Sequence, residues 1–267
     1  MDSDAPADPG AVRTYEDCLL TLWAGFDDPA PFDSYLDAAH GGGLAAVSDD
    51  RAYRELVATQ VADGYLWPEL ERAREAVREV FPDPETVAAF DESDRDRIRE
   101  RGTPVSDDRT VERAVDAAEG VLSVREVFGS FVGHLRELDE YEAATAAVAT
   151  VDGVDETTAH RFLVSLGYRP AVARDEGVTR LFDRIGFDPS PAAREAAVEA
   201  MVAGTPDGPA AVARVLRTHA GSDENFSGPT PPGRDPVFPG VCTPEPACAR
   251  CRVENCASRR EPFGGDE

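Results

Sequence analysis

Val151-Asp152-Gly153-Val154-Asp155-Glu156 lies between two apolar periodicities, and its reading decides the fold. Upstream, Ala143, Ala146, Ala147 and Val148 recur at helical spacing. Downstream, from Thr157 or Thr158, Ala159, Phe162, Leu163 and Leu166 do the same. The segment from Ala143 to Gly167 therefore reads as helix, short glycine turn, helix. A glycine turn that opens a helix presents backbone N–H groups, here around Gly153, Val154, Asp155 and Thr157, and these suit a phosphate oxygen. Taken alone, the same hairpin serves equally well as plain helix packing.

Helical periodicity continues on the N-terminal side. Tyr53, Leu56, Val57, Gln60 and Val61 follow the i, i+3, i+4 pattern, as do Leu70, Ala73, Val77 and Val80. Leu19, Leu20, Trp23 and Phe26 are expected on one face of a first helix, after a disordered start over residues 1–12. Phe81-Pro82-Asp83-Pro84 stops one helix and starts a short one, and Asp91-Glu92-Ser93-Asp94 caps the next. Two amphipathic segments follow, one with Val111, Ala114, Val115, Ala118 and Val121, the other with Val124, Val127, Phe128, Phe131 and Leu135. No stretch sustains period-two alternation, so the fold class is all-α.

Beyond the last helices, residues 221–241 are rich in Gly, Pro, Ser and Asp and read as a linker. Four of the five cysteines follow at once: Cys242, Cys248, Cys251 and Cys256, spaced C-x5-C-x2-C-x4-C. Four thiols in so short a run point to a tetrahedral zinc site or a [4Fe–4S] cluster. The single compact loop favours the cluster, with zinc as the alternative, and Cys18 reads as a core residue. His160 and His219 read as structural.

The 267 residues carry 52 acidic and 27 basic side chains, a net charge of −25, and every basic residue is arginine. Acid excess without lysine resembles the proteins of salt-loving archaea, where screening shortens self-repulsion to about 3 Å at 1 M salt. Bulk charge does not advertise nucleic-acid binding. Arg161, Arg169, Arg174, Arg180 and Arg184 form a local basic enrichment that suits a phosphate-binding face or ion pairs with nearby carboxylates. No apolar run is long enough to span a membrane. The acidic start, Met1-Asp2-Ser3-Asp4, has no signal character, so a cytoplasmic protein is expected. Without lysine, no side-chain amine is available to form a Schiff base.

Val151 to Ala159 resembles the helix-hairpin-helix signature Leu-Pro-Gly-Val-Gly-x-Lys-Thr-Ala of the endonuclease III superfamily of DNA glycosylases. Arg174-Asp175-Glu176-Gly177-Val178-Thr179-Arg180, followed by Arg184-Ile185-Gly186, is similar to the Val-Asp-Thr-His-Val-x-Arg and Arg-Leu-Gly segments of that family. The cysteine loop resembles its C-x6-C-x2-C-x5-C cluster loop with each outer gap one residue shorter. Val57-Ala58-Thr59-Gln60-Val61-Ala62-Asp63 is similar to its Leu-Ser-x-Gln-x-x-Asp segment, and Leu216 to Gly221 loosely resembles the stretch before its first cluster cysteine. The middle, Phe81 to Leu122, also resembles the related 3-methyladenine glycosylase I. The likenesses run in family order over about residues 15 to 260.

The resemblance implies a two-lobed helical glycosylase: a barrel over residues 50–167 ending in the hairpin, a second lobe from 13–49 plus 168–220, and a cluster loop over 242–256. It implies a monomer that binds double-stranded DNA with a damaged base and hydrolyses the bond between that base and deoxyribose. Asp175 is then the carboxylate that stabilises an oxocarbenium-like sugar, though the same residue type before Val178, Leu181 and Phe182 is also a helix cap. Gln60 matches the family's wedge for the gap left by a flipped base, or is a solvent-facing residue. Gly153, Val154, Asp155, Thr157 and Arg180 are the implied DNA contacts. The departures are specific. Thr157 replaces the nucleophilic lysine, which excludes a lysine-dependent lyase; Asp155 replaces the second hairpin glycine; Glu176-Gly177 replaces Thr-His. The alternative is a non-catalytic iron–sulfur DNA-binding paralogue that retains the scaffold.

Overall fold

The computed structural model describes residues 8–39, 43–62, 65–228 and 233–257. Among them are fourteen α-helices and no strand. In chain order the helices are α1 (Pro9–Gly25), α2 (Ala30–Asp37), α3 (Asp49–Val61), α4 (Trp67–Val80), α5 (Pro84–Ala88), α6 (Glu92–Arg99) and α7 (Asp108–Phe128). Then come α8 (Phe131–Glu137), α9 (Tyr141–Ala149), α10 (Glu156–Ser165), α11 (Arg169–Arg174), α12 (Glu176–Ile185), α13 (Pro191–Gly204) and α14 (Pro209–Ala220). None of the described helices is long and apolar enough to cross a membrane. The chain divides into two compact units, a central one (Gly42–Leu166) and a terminal one (Met1–Gly41 with Gly167–Glu267).

In the central unit α3 packs against α4, α7, α8 and α10. Tyr53, Leu56, Val57 and Gln60 of the expected pattern are buried, together with Ala52, Ala58 and Thr59, while Val61 is half-buried. Full burial of an aliphatic or aromatic side chain such as Leu56 or Phe81 contributes about 1.5–3 kcal/mol. Polar contacts fix the angles. Tyr53 donates to the Ala114 carbonyl of α7 at 3.0 Å. Asp49 accepts from the Ser130 hydroxyl at 2.9 Å and the Val132 N–H at 2.8 Å, which ties the start of α3 to the start of α8. The unit begins earlier than residue 50. Arg136 of α8 donates to the carbonyls of Leu44, Ala45 and Val47, and the Leu44 N–H donates to Leu166 at 3.0 Å. Asp63, quoted above beside Gln60, lies outside the described residues.

Two expectations about helices are corrected. Val124 to Leu135 is not one segment: α7 runs on to Phe128, Gly129 terminates it at φ +82°, and Ser130 caps α8 through the Gly133 N–H. Phe128 is left 54% exposed, stacked on His134. The inner face of α1 is Ala11, Tyr15, Cys18 and Leu22; Leu20 and Trp23 are 45% and 43% exposed. The Tyr15–Cys18–Leu22 stripe wins because it seats α1 on α13 and α14, while the Trp23 indole donates to Asp33. The disorder expected over residues 1–12 is corrected for Asp8 onward, and the rest of that stretch lies outside the described residues. Asp8 caps α1 and Pro9 starts it, a favourable pairing because proline has no N–H to leave unsatisfied.

In the terminal unit α14 is the core helix, with ten of its twelve residues buried. A helix covered on nearly all sides belongs inside its unit. At Gly167 (φ +67°) a Cβ would lie 2.4 Å from the Pro209 backbone, so only glycine admits the start of α14 there. The stretch expected as a free linker is instead packed where it is described. Phe226 and Phe238 are fully buried and join Phe26, Phe32 and Tyr35 in an aromatic cluster. The Phe238 N–H donates to the Phe226 carbonyl at 3.0 Å, closing the loop on itself.

Phe226→Ala is expected to cost about 3–5 kcal/mol in equilibrium denaturation, the usual range for a buried aromatic truncated to alanine. A free linker would show almost no change, so an effect below about 1 kcal/mol would contradict the packed loop.

Candidate functional site

The hairpin forms as α9, turn and α10, with Gly153 at φ +76°. Its donors are largely used internally. The Val154 N–H closes the turn on the Val151 carbonyl at 3.1 Å, and Asp155 caps α10 by accepting from the Thr158 N–H at 2.7 Å. That bond, with the Thr158 hydroxyl, holds the Asp155 carboxyl below its usual range, so an anion already occupies the helix start. A phosphate brought there meets like charge. Thr157 is exposed, and the capping position belongs to Asp155. The hairpin thus has the expected shape without the expected open N–H cradle.

Gln60 is 7% exposed, too enclosed to project as a wedge. Its amide lies beside the hairpin: Nε2 is 3.9 Å from the point where a Cβ on Gly153 would sit, and Arg113 also borders that point. The Arg113 guanidinium donates to the Gln60 main-chain carbonyl at 3.3 Å. Neither Nε2 nor Oε1 of Gln60 has a hydrogen-bond partner. An unsatisfied buried amide costs about 1–3 kcal/mol and is therefore a site in need of an explanation.

Asp175 is 4% exposed and caps α12. One carboxylate oxygen accepts from the Gly177 and Val178 N–H groups at 3.0 and 3.1 Å and from the Ser222 hydroxyl at 2.6 Å. The other accepts from Arg217 Nε at 2.9 Å. Burial alone would raise its pKa, but the Arg217 charge, the Ser222 hydroxyl and the Val178 N–H outweigh it and hold the carboxyl below the usual range. The group expected to steady charge on a sugar has its own charge balanced within the terminal unit.

Of the arginines expected on a phosphate-binding face, Arg169, Arg174, Arg180 and Arg184 are committed within the protein. Arg169 pairs with Glu199 at 2.7 Å, and Arg174 pairs with Glu195. Arg180, expected to touch DNA, donates to the Cys242 carbonyl at 3.2 Å and to the Ala220 carbonyl at 2.8 Å. Arg184 binds the same loop. No disulfide joins the four loop cysteines, which with Arg184, Val241, Pro246 and Val253 line one cavity. The Val241 and Cys242 N–H groups both donate to the His219 carbonyl, and the Arg252 N–H donates to Thr21 of α1 at 2.9 Å. Burial pushes the His219 imidazole down to about 4, so it is neutral beside Cys251, with Nε2 3.7 Å from the sulfur. Among the described residues, no three or more His, Cys, Asp or Glu side chains are grouped so as to hold a metal ion. The donor set, four soft thiols facing one cavity, nonetheless fits a thiolate-ligated group.

The family model of methyladenine glycosylase matches residues 30–165, half of the chain and nearly all of the central unit. The chain belongs to the methyladenine glycosylase family. No curated protein and no solved structure matches it. Methyladenine glycosylases are DNA glycosylases of base-excision repair, so the partner is DNA. The match includes Gln60 and the hairpin, whereas Asp175, Arg180 and the cysteine loop lie beyond it.

Two participants escaped the sequence reading. Arg113 carries no signal, since an arginine on an amphipathic helix reads as surface. Arg217 carried one: it is a charge in α14, a helix otherwise almost wholly buried.

Asp175→Asn is expected to cost about 3 kcal/mol at pH 7, at the lower end for a broken buried pair because Asp223 and Glu224 also lie 3.7 Å from Arg217. The folded-state pKa is depressed, so this stability is present above the unfolded aspartate value of about 3.9 and is lost as pH falls through the lower folded value. Denaturant melts of both proteins from pH 7 downward should therefore converge in acid. An Asn variant as stable as the wild type yet unable to release base would assign Asp175 to the chemistry instead.

Proposed function

We propose that this protein hydrolyses the glycosidic bond of an alkylated adenine in double-stranded DNA, as a monofunctional glycosylase with no side-chain amine nucleophile and no strand cleavage. The observation that carries the mechanism is the absence of lysine from the whole chain. Water forms the new bond to the deoxyribose carbon as the carbon–nitrogen bond breaks, the bonding electron pair leaves with the base, and the attacking water gives up its proton to solvent. Alkylation on a ring nitrogen makes the base cationic, so the departing pair neutralises it and no proton from the protein is required. Such a leaving group suits a chain whose Asp175 is tied to Arg217.

Gln60 is the residue of choice for contact with the extruded base. Its buried amide offers both a donor and an acceptor, neither of them partnered, and a glutamine amide matches the paired donor and acceptor of an adenine edge. For the four cysteines we propose a [4Fe–4S] cluster, with zinc as the alternative. Support comes from a single cavity lined by all four cysteines. When bound, the group cross-links the cysteine loop. The order of the hairpin, the Asp175 segment and this loop supports placement in the endonuclease III superfamily. The acid-rich, lysine-free composition supports operation in concentrated salt.

Release of free base from methylated duplex DNA, followed by chromatography in molar KCl, is the direct test. Methylated adenine should appear in preference to normal bases. Abasic DNA treated with borohydride should give no adduct beyond that removed by blocking the Met1 amine, because reduction traps an imine and an imine needs an amine. Binding to abasic DNA with no base released from any substrate would favour the non-catalytic reading.

Gln60→Met should lower base release on the order of 10–100-fold, the worth of a paired base contact. It should leave folding stability equal or raised, by up to about 2 kcal/mol, since a buried amide without partners is removed. Loss of stability in parallel with loss of release would mean that Gln60 serves the fold.

A further inference from the structure

Arg184 is held by both ends of the cysteine loop. Its Nη1 donates to the Cys242 sulfur at 3.4 Å and to the Thr243 carbonyl at 2.5 Å, and Nη2 donates to the Pro244 carbonyl at 3.1 Å. Its own main-chain carbonyl accepts from the Cys256 thiol at 3.4 Å. That carbonyl belongs to the last turn of α12, where no further helical N–H is available, so the loop supplies what the helix lacks. One residue thus touches the first and last cysteines, and its side chain is part of the cavity wall that all four share.

We propose that Arg184 is the positioning residue of the four-cysteine site: it sets the separation of Cys242 from Cys256 and supplies an N–H···S hydrogen bond and a positive charge to whatever group the thiolates hold. This rests on the reading of those cysteines as ligands. A set of four thiolates concentrates negative charge, and a guanidinium donating to one sulfur offsets it while fixing the direction of the sulfur. The forked geometry matters as well as the charge. Nη1 and Nη2 bind carbonyls of successive residues, Thr243 and Pro244, so the first arm of the loop is held at two points.

The test uses the full-length protein loaded either with zinc alone or with ferrous iron and sulfide, as wild type, Arg184→Gln and Arg184→Lys. In competition with a chromophoric chelator, Arg184→Gln should lose its metal about 10–100-fold more readily, the usual effect of removing a partner that orients a ligand. Arg184→Lys should recover part of that loss, because it restores the charge without the fork. If the iron–sulfur group assembles, its reduction potential in Arg184→Gln should shift negative, since N–H···S bonds and nearby positive charge favour the reduced, more negative cluster. Equal retention and equal potential in wild type and Arg184→Gln would overturn the proposal and leave the cysteine reading intact. Failure of the wild type to take up either group would overturn both. Weaker retention with no rescue by lysine, accompanied by a lower melting temperature of the metal-free protein, would reduce Arg184 to a structural residue and also overturn it.

Discussion

Helix α14 carries two arginines, Arg214 and Arg217, into the interior of the terminal unit, and the surrounding elements are arranged to meet them. A guanidinium cannot shed its charge, so burial is tolerated only with fixed partners. Arg217 finds Asp175 at the start of α12 and the Ser222 carbonyl in the segment after α14. Arg214 donates to the Tyr35 carbonyl and lies 4.4 Å above the Tyr35 ring, while the Tyr35 hydroxyl donates to Asp223. Helices α2, α12 and α14 and the segment that follows are therefore joined through one set of charges. The aromatic cluster around Phe226 then closes over Tyr35.

The same economy explains why so many polar groups expected to face a ligand face the protein. Asp155 satisfies its own helix, Asp175 satisfies an arginine, and Arg180 and Arg184 satisfy the carbonyls of the cysteine loop, a segment almost without regular structure of its own. Loops without ladder hydrogen bonds must find donors elsewhere, and long arginine side chains from a rigid helix provide them. Gln60 is the exception: enclosed among α3 and its neighbours, its amide is left without a partner.

The helices were legible because their periodicities are strong and their stops are chemical: Pro82 and Pro84, Asp91, Gly153. The central unit followed from them, and the likeness of residues 81–122 to 3-methyladenine glycosylase I falls inside the matched segment. The α1 face was misread because Leu19, Leu20 and Trp23 look more apolar than the Tyr15–Cys18–Leu22 stripe, and packing partners, absent from a local pattern, choose between them. The packed loop was misread because composition registers Gly and Pro while two phenylalanines hold it in place. Partners distant in sequence left no local trace: Asp175 with Arg217, Gln60 with Arg113, and Arg184 with both ends of the cysteine loop.

The self-capped hairpin has a consequence for the way this protein holds its substrate. Affinity built from cationic side chains on phosphates is largely counterion release, and it falls steeply as salt rises. Here the α10 N-terminus carries its own anion, and Arg169 and Arg174 are already paired with carboxylates, so these groups would displace few counterions if DNA met them. Under the proposed reading, binding would lean on base contacts and fit more than on counterion release, and its affinity would fall less steeply with salt than that of an open phosphate cradle.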